Sequence, residues 1–237
     1  MQDIKSYFNG KTYPGRGIVI GLSPDEKAYY QIYWIMGRSE NSRNRVFIKE
    51  ENNFVRTEAH DKVKMEDPSL IIYYPIKHVG VNTHIVSNGD QTDTIVEYIS
   101  SGKSFEQAIA SRTYEPDPPN YTPRIAGIID TGADDCAYKL AIMKSNNNQP
   151  EHAVKNVFAY ASAIPGIGHC ITTYVDDGNP LPSFEGEPVA GPIYDRIDDN
   201  LVYYWKLINN DNLISILVKR IEIVSSEVNI LIRNNRC

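Results

Sequence analysis

The sequence predicts an α+β fold built mainly from antiparallel strands. Apolar segments rich in β-branched and aromatic residues follow each other across short polar turns, as in residues 17–22 and 29–36, and this pattern predicts hairpins. Two predicted helices fall between blocks of strands rather than after each strand, which disfavours a doubly wound parallel sheet. A content of 41% hydrophobic and 23% charged residues is sufficient for a buried core.

The first half of the chain alternates strand-like segments with short polar turns. Apolar or strand-like stretches are predicted over residues 17–22, 29–36, 46–49, 54–57, 70–76 and 79–86. The period then changes, because Asp90 or Thr92 is suited to cap a helix that continues to Ser100. Ser104 and Gln107 have the spacing of a capping box, which predicts a second short helix over residues 105–111.

The second half contains two proline-rich segments, residues 114–124 and 176–192. The first holds four prolines, which exclude regular structure, and we predict an ordered loop there rather than a domain linker. The other predicted elements are strands over 125–129, 137–143, 154–161 and 168–175, an aromatic helix over 201–208, and a terminal hairpin of 214–224 with 228–232. The whole chain then has about ten strands and three or four helices.

Composition and charge argue against several classes of protein. No window approaches the roughly 18 consecutive apolar residues of a membrane span, and residues 1–11 lack the apolar core of a signal peptide, so we predict a soluble cytoplasmic protein. A net charge of -6 argues against a general nucleic-acid binder. The three widely spaced cysteines indicate neither a disulfide framework nor a metal knuckle, and we predict no metal and no cofactor.

An arginine-rich segment, residues 35–47, follows directly after the aromatic strand. It contains Arg38, Arg43 and Arg45, with Glu40 as its only acidic residue. The guanidinium group presents its donors in a fixed fork that matches a phosphate or a carboxylate. A solvated basic turn is the alternative interpretation, but a positive patch in an acidic chain focuses an anionic ligand. The segment is therefore the leading candidate for an anion site.

Two further candidates surround the start of the first predicted helix. Asp93 stands four residues before Glu97, so the two carboxylates share one face of that helix, either as a functional pair or as a solvated acidic stripe. Asn88 lies at the junction of a strand and this helix. There its side-chain amide can face a ligand, although residues 88–89 equally suit a plain turn.

Tyrosine and histidine side chains supply the remaining candidates. Tyr73 and Tyr74 are adjacent on a predicted strand and so point to opposite faces, one into the core and the other towards a cleft. His169 follows a lone Gly-x-Gly, and either packs in the structure or changes its protonation state near neutral pH.

Four short segments of the chain carry a family resemblance when they are taken together. They are YPGR at 13–16, GRS at 37–39 with RNR at 43–45, VSNG at 86–89 with TDTI at 92–95, and TPRI at 122–125. In this order they resemble the monofunctional, archaeal-type IMP cyclohydrolases. The resemblance covers the first half of the chain. The segment between 39 and 43 is longer than in that family, and residues 166–173 and 180–188 have no counterpart in it.

The resemblance implies a fold and an activity. The fold is a four-layer αββα sandwich resembling the N-terminal-nucleophile hydrolase fold, with two mainly antiparallel sheets, helices outside, and one domain over residues 1–237. The activity is closure of 5-formamidoimidazole-4-carboxamide ribotide to inosine monophosphate, with loss of water, in purine biosynthesis. Proton transfer and addition–elimination need no metal, so positioned acid–base groups and hydrogen-bond donors suffice.

The resemblance also implies roles for individual residues. Arg38 and Asn88 orient the carboxamide and formyl groups, with Asp93 as a proton acceptor and Tyr74 as an acid. The implied substrate-binding residues are Arg16, Arg43, Asn44 and Arg45 at the ribose phosphate, Asn120 and Arg124 in the pocket wall, and Ser39 and His169.

Two alternatives stay open at this stage. A non-catalytic purine-nucleotide-binding or regulatory module would keep the arginine segment without the chemistry. An amide hydrolase on the same fold needs a nucleophile at the mature N-terminus, and for this Ser6, Thr12 and Cys136 are poorly placed. The expected partner is a small purine ribotide, with no nucleic acid and no membrane. The sequence leaves a homo-oligomer open.

Overall fold

Thirteen strands and five α-helices are formed in the part of the chain that the computed structural model describes, residues 3–65, 68, 71–133, 136–147 and 149–235. The strands are β1 Gly17–Leu22, β2 Ala28–Met36, β3 Arg45–Lys49, β4 Val55–Ala59, β5 Ile76–Val79, β6 Thr83–Ser87, β7 Arg124–Asp130, β8 Tyr138–Asn146, β9 Gln149–Tyr160, β10 Ile167–Thr172, β11 Val189–Pro192, β12 Leu213–Glu222 and β13 Val228–Asn234. The helices are α1 Ile4–Phe8, α2 Glu40–Arg43, α3 Gln91–Ser100, α4 Phe105–Ala110 and α5 Ile197–Leu207, with a 3₁₀ turn at Lys62–Lys64.

These strands form two antiparallel sheets, so the α+β class predicted from the sequence is confirmed. The six-stranded sheet has the order β11-β10-β1-β2-β12-β13, and the seven-stranded sheet has the order β3-β4-β5-β6-β7-β8-β9. The predicted hairpin of residues 17–36 forms with Gly17 opposite Trp34 and Leu22 opposite Tyr29. The predicted terminal hairpin also forms, from β12 and β13.

Side chains of β2 alternate between the two faces of the six-stranded sheet. Gln31 and Tyr33 point to the seven-stranded sheet, where Gln31 Nε2 donates to His84 O at 3.0 Å. Trp34 points the other way and packs edge-on against Phe8 of α1. Because both faces of this strand are covered, it is apolar or aromatic at nearly every position rather than alternating.

Helices cover the outer faces of the sheets. Helices α3 and α4 pack on the seven-stranded sheet through a separate apolar cluster that includes Ile95 and Phe105. Helix α5 packs on β12 and β13 of the other sheet. The predicted capping box at the start of α4 is present, with Ser104 and Gln107 bonded reciprocally. No helix among the described residues is long and apolar enough to cross a membrane.

Three sequence predictions of local structure are wrong. The strand-like stretch predicted over 79–86 contains a turn at 80–82, which separates β5 from β6. The strand predicted over 70–76 is irregular from residue 71 to 75, and regular pairing begins only at Ile76; Leu70 lies outside the described residues. The irregular part is held instead by Thr57, whose hydroxyl accepts from Tyr73 N at 2.9 Å and donates to Ile71 O at 2.7 Å. Helix α5 begins at Ile197 rather than at the predicted residue 201, and Arg196 occupies its N-cap position.

Candidate functional site

The arginine-rich segment folds back on itself between β2 and β3. Ser39 caps α2, and its hydroxyl accepts from Ser42 N at 3.2 Å. At Gly37 a side chain would collide with Ser42 and Ile214, so only glycine lets the chain pass so close. The turn therefore delivers Arg45 to the first position of β3, at the end of the sheet and pointing inward.

A cavity of ≈ 330 Å³ opens beside this segment. Five separate parts of the chain form its wall: the stretch before β1, the arginine-rich segment, the irregular stretch 71–75, the proline-rich loop 114–124, and the segment after β10. The lining residues are Tyr13, Gly15, Arg16, Met36, Arg38, Ser39, Ser42, Arg45, Ile71, Asp117, Asn120, Thr122, Thr173, Tyr174 and Leu181. Five of the sequence-predicted site residues thus meet here, namely Arg16, Arg38, Ser39, Arg45 and Asn120.

Arg45 is the most unusual side chain in this wall. It is only 1% exposed, yet its strongest electrostatic neighbours are Arg16 and nearby tyrosine phenols rather than a carboxylate. Its Nε donates to Ser42 O at 2.7 Å and Nη2 donates to Met36 O at 3.3 Å, whereas Nη1 has no partner among the described residues. Burial lowers the pKa of Arg45, but a guanidinium stays protonated in proteins. A buried positive charge with one unpartnered donor therefore lies in the wall of the cavity.

Arg16, by contrast, already has its counter-ion. Its Nη1 donates to Glu115 Oε1 at 3.1 Å, and both side chains are nearly buried. Burial opposes the charged form of Arg16, but Glu115 and nearby phenols outweigh it and raise the Arg16 pKa well above its usual range. The hydroxyls of Tyr33 and Tyr73 lie behind these arginines and are bonded to each other at 2.7 Å. Burial raises the pKa of Tyr33 well above its usual range, so this phenol stays neutral.

The mouth of the cavity carries the third arginine. Arg38 is 41% exposed, and its guanidinium lies 4.9 Å from the centre of the Tyr13 ring. Its Nη1 donates to Asp177 Oδ1 and, at 3.3 Å, to Gly178 O. Asp177 belongs to the second proline-rich loop, so this ion pair joins the arginine-rich segment to that loop across the opening. On the same side, Asn120 Oδ1 accepts from Leu181 N at 3.1 Å.

A short hydrogen-bonded chain supplies acid–base groups. Among the described residues that line the cavity, Asp117 is the only carboxylate. Thr122 Oγ1 donates to Asp117 Oδ2 at 2.5 Å and lies 2.6 Å from the hydroxyl of Tyr174. Burial raises the pKa of Tyr174, so that phenol keeps its proton at neutral pH. A proton acceptor and a proton donor are thus linked through one threonine hydroxyl.

Three predicted site residues lie instead around the start of α3. Asn88 is completely buried, and its Oδ1 accepts from Ile125 N and Gln91 Nε2, both at 2.8 Å. Arg124 pairs with Asp90, and its Nη1 also donates to Gln91 Oε1 at 2.8 Å. Asp93 is exposed and pairs with Lys77 at 2.5 Å. These side chains hold α3 to β5 and β7, and the structure does not bring them to the cavity.

The other four predicted residues also lie elsewhere. Tyr74 donates to Glu50 Oε1 at 3.2 Å on the outer surface, and it is Tyr73 that points inward. Arg43 binds Asn212 Oδ1 at 2.8 Å, and Asn44 Nδ2 donates to Asp61 O at 2.7 Å. His169 is buried between the sheets, where its ring stacks on that of Tyr160 with the two ring centres 4.0 Å apart. Burial lowers the pKa of His169.

Sequence reasoning missed most of the cavity wall. Asp117, Thr122 and Tyr174 lie in or beside the two proline-rich loops, which are predicted only as loops. Tyr13 belongs to the YPGR segment at 13–16, which carries part of the family resemblance. That resemblance, which also includes Thr122 in the TPRI segment at 122–125, is the available signal, but nothing local indicates that these segments meet.

A larger cavity of ≈ 640 Å³ lies outside the six-stranded sheet, between α1 and the end of α5. It contains none of the predicted site residues. The smaller cavity is the candidate active site because it alone joins the arginine-rich segment to acid–base groups. Within the described residues there is no group of three or more His, Cys, Asp or Glu side chains that could hold a metal ion.

Comparison with known proteins bears on this site. Residues 13–222 match the family described as IMP cyclohydrolase-like protein. Over 120 residues the chain is 35% identical to the IMP cyclohydrolase of Methanocaldococcus jannaschii, an alignment that covers 50% of this chain and 57% of that protein. Over 123 residues it is 32% identical to the IMP cyclohydrolase of Methanosphaera stadtmanae, covering 50% and 58%. The chain thus aligns with little more than half the length of these relatives.

Proposed function

The chain belongs to the IMP cyclohydrolase-like family, and from this premise we propose that it is an IMP cyclohydrolase acting in purine biosynthesis. The substrate is 5-formamidoimidazole-4-carboxamide ribotide, which closes to inosine monophosphate with loss of water. One observation carries the assignment to this cavity: Arg45 lines it, is buried, and has neither a carboxylate partner nor a hydrogen-bond partner for Nη1 among the described residues. A ribotide phosphate is the anion that this charge lacks.

The role of each arginine follows from its existing partners. Arg45 binds the phosphate, because a charge-assisted hydrogen bond between buried groups is strong and the guanidinium fork fits phosphate oxygens. Arg16 is neutralised by Glu115 and supports the site without binding a second anion. Arg38, stacked near Tyr13 at the mouth, orients the formyl oxygen and stabilises the charge that develops on it.

Asp117 and Tyr174 supply the proton transfers in this proposal. The carboxamide nitrogen attacks the formyl carbon, a C–N bond forms, and the nitrogen loses a proton to Asp117. The formyl oxygen gains a proton from a neutral hydroxyl, for which Tyr174 is the candidate, and the product of this addition is a cyclic carbinolamine. Its hydroxyl then takes a second proton from Asp117, the C–O bond breaks and water leaves, while the formamido nitrogen gives its proton to the Tyr174 phenolate as the C=N bond forms. Thr122 joins the two groups, so a proton accepted at one end can be returned at the other.

Several sequence predictions are not carried into this mechanism. The implied catalytic roles of Tyr74, Asn88 and Asp93 have no support from their contacts, because each side chain is bonded away from the cavity. The same holds for Arg43, Asn44, Arg124 and His169 as substrate ligands. Ser39 and Asn120 stay in the proposal as lining residues.

We also infer the finer architecture implied by the resemblance, a single domain with the four-layer αββα arrangement of N-terminal-nucleophile hydrolases. Support comes from the two stacked antiparallel sheets, with α3 and α4 on one outer face and α5 on the other. A cytoplasmic location and a homo-oligomeric state stay predictions from the sequence.

The test is a direct assay of ring closure. Purified protein is mixed with the formamido ribotide, and closure is followed by ultraviolet absorbance in wild type, Asp117→Asn and Arg38→Ala. We expect turnover in wild type, and in Arg38→Ala a loss of roughly 10²–10³ in kcat, as when one oxyanion donor is removed. Arg56→Ala is the matched control, because Arg56 pairs with Glu50 and Glu58 away from the cavity.

The rival, a non-catalytic nucleotide-binding module, predicts a different outcome of the same assay. Such a protein would gain thermal stability with inosine monophosphate but show no turnover. If Arg38→Ala and Asp117→Asn both keep wild-type kcat while the protein is active, the chemistry takes place outside this cavity.

A further inference from the structure

The ≈ 640 Å³ cavity outside the six-stranded sheet has its own charge pattern. Three lysines, Lys5, Lys11 and Lys206, line it together with the polar segment 9–12 and Asn209 and Asn210. Among its described lining residues there is no aspartate or glutamate. The Nζ of Lys5 lies 5.8 Å from the centre of the Tyr203 ring, and the Nζ of Lys11 lies 3.3 Å from the centre of the Tyr7 ring. Since the whole chain has a net charge of -6, three lysines in one cavity wall form a local positive field that favours an anion.

The floor of this cavity is apolar and aromatic. Phe8 is 5% exposed, and Ile208 and the ring of Tyr203 continue the same surface. The Tyr203 hydroxyl is buried and has no hydrogen-bond partner among the described residues, and burial raises its pKa to about 12, so it keeps a proton to donate. An anion alone would leave the apolar floor uncovered. A planar ring attached to the anion would cover it.

We propose that this cavity is a second ligand site, which binds a phosphorylated compound carrying a planar ring, such as a nucleotide. The lysines bind the phosphate groups, and the ring lies on Phe8 and Tyr203. Lysine suits this task because its flexible ammonium groups can follow a mobile polyphosphate, whereas the fixed fork of Arg45 suits one phosphate in one place. This site stands apart from the proposed active site and does not depend on the proposed activity.

The two cavities share one stretch of backbone. Residues 9–12 line the second site, and Tyr13, Gly15 and Arg16 line the first. Asp176 holds the junction, because its Oδ1 accepts from Thr12 N at 2.8 Å and from Tyr13 N at 3.1 Å. A ligand that pulls Lys11 towards its phosphates therefore acts on the same segment that places Tyr13 beneath Arg38. Occupancy of the second site is expected to change substrate affinity at the first.

Binding measured without turnover tests the site. Wild type and Arg45→Met are titrated with ADP by calorimetry, because Arg45→Met weakens binding at the first site and so makes the second site easier to measure. In this background Lys5→Glu/Lys206→Glu should weaken ADP binding at least about tenfold, the effect of losing one charge-assisted hydrogen bond. Lys27→Glu/Lys103→Glu is the control, because it changes the net charge equally at distant exposed positions. Inorganic pyrophosphate, which lacks the ring, should bind more weakly than ADP.

Three results would overturn the proposal. Arg45→Met could show no ADP binding at millimolar concentration, the control pair could weaken binding as much as the cavity pair, or pyrophosphate could bind as tightly as ADP. Thermal unfolding of each variant is measured alongside, because a folded variant is required for either conclusion. If the wild-type protein shows no cyclohydrolase activity, the ADP-binding result is not affected. Each of the two proposals can therefore be wrong while the other is right.

Discussion

Arg45 and Lys219 are two buried cations that the fold treats in opposite ways. Arg45 is 1% exposed and Lys219 is completely buried, and neither is neutralised by a carboxylate in the described structure. Arg45 lines a cavity, and its Nη1 has no hydrogen-bond partner among the described residues. Lys219 is enclosed between the sheets, where its Nζ lies 3.0 Å from His84 Nδ1. Arg45 keeps its charge, whereas Lys219 loses its charge as the pH rises through about 7.

Protonation chemistry explains the difference. Burial lowers the pKa of Lys219 to about 7, and burial together with Lys219 lowers the pKa of His84 to about 3. The enclosed pair therefore avoids much of the cost of a buried charge by releasing protons. A guanidinium cannot do this at neutral pH, so Arg45 retains a charge that only an anion can compensate. A buried cation indicates a binding site when it is an arginine beside a cavity.

The largest expected effect is on substrate binding. Arg45→Met removes the uncompensated charge, and loss of a charge-assisted hydrogen bond should raise KM by about 10–100-fold with a smaller change in kcat. Lys219→Met should leave KM unchanged, because its surroundings do not reach the cavity. Steady-state kinetics of ring closure measure both. If both substitutions change KM equally, Arg45 and Lys219 do not differ in their role in substrate binding.

Arg45→Lys sharpens the same test. A lysine in this place retains charge but not the planar fork, so only part of the affinity should return. Its recovered affinity should also decline as the pH rises from 7 to 9, because a buried ammonium loses its proton as Lys219 does. Full recovery at all pH values would mean that a point charge suffices and that the guanidinium geometry is irrelevant.

How much of this site could be predicted depends on whether its signal is local. Arg38 and Arg45 stand in one short segment against an acidic background, so their pattern is visible in the sequence. Asp117 and Tyr174 come from distant loops that meet only when the sheets stack. Asn88 has the expected position between strand and helix, but buried backbone groups use its amide. Local pattern identifies residue chemistry, and only packing decides which groups face a ligand.

The parts of the fold that the sequence predicts are also those with a local signal. Hairpins such as β1–β2 and β12–β13 join neighbouring segments, so alternation and turn residues suffice to predict them. The order of strands in each sheet requires non-local pairs such as β2 with β12, which have no local signal. Tyr73 and Tyr74 show both the local part of the prediction and the part that depends on packing. Opposite faces were expected, but the choice of Tyr73 as the inward one depends on the irregular backbone at 71–75.

The enclosed pair makes a second prediction, on stability. The folded-state pKa of Lys219, about 7, lies below its unfolded value of 10.5, so the unfolded chain binds the extra proton between these values. The free energy of unfolding therefore rises with pH in that window, by about 2 kcal/mol between pH 7 and 9 from this group. Chemical denaturation of wild type and Lys219→Met at pH 7 and pH 9 measures this contribution, as the difference between the unfolding free energies of the two proteins at each pH. A difference that does not change with pH would mean that Lys219 stays charged when buried.

The smallest expected effect concerns the hydroxyl pair behind Arg45. Tyr33 and Tyr73 are bonded to each other at 2.7 Å and are absent from the residues that line the cavity. Tyr73→Phe leaves one buried hydroxyl without its partner and should cost about 1 kcal/mol of unfolding free energy. Tyr33→Phe/Tyr73→Phe removes both and should cost less than the sum of the single changes, which a double-mutant cycle in urea measures.

The same variants test whether Arg45 is the group that binds the anion. If neutral phenols only pack beneath the guanidinium, KM should stay near its wild-type value in both phenylalanine variants, while the stability changes as described. A KM increase as large as that of Arg45→Met would mean that the hydroxyls hold the guanidinium in its binding position or contact the ligand. The free charge of Arg45 would then be insufficient to bind phosphate. The contrast with Lys219 would rest on a hydrogen-bonded network rather than on one uncompensated cation.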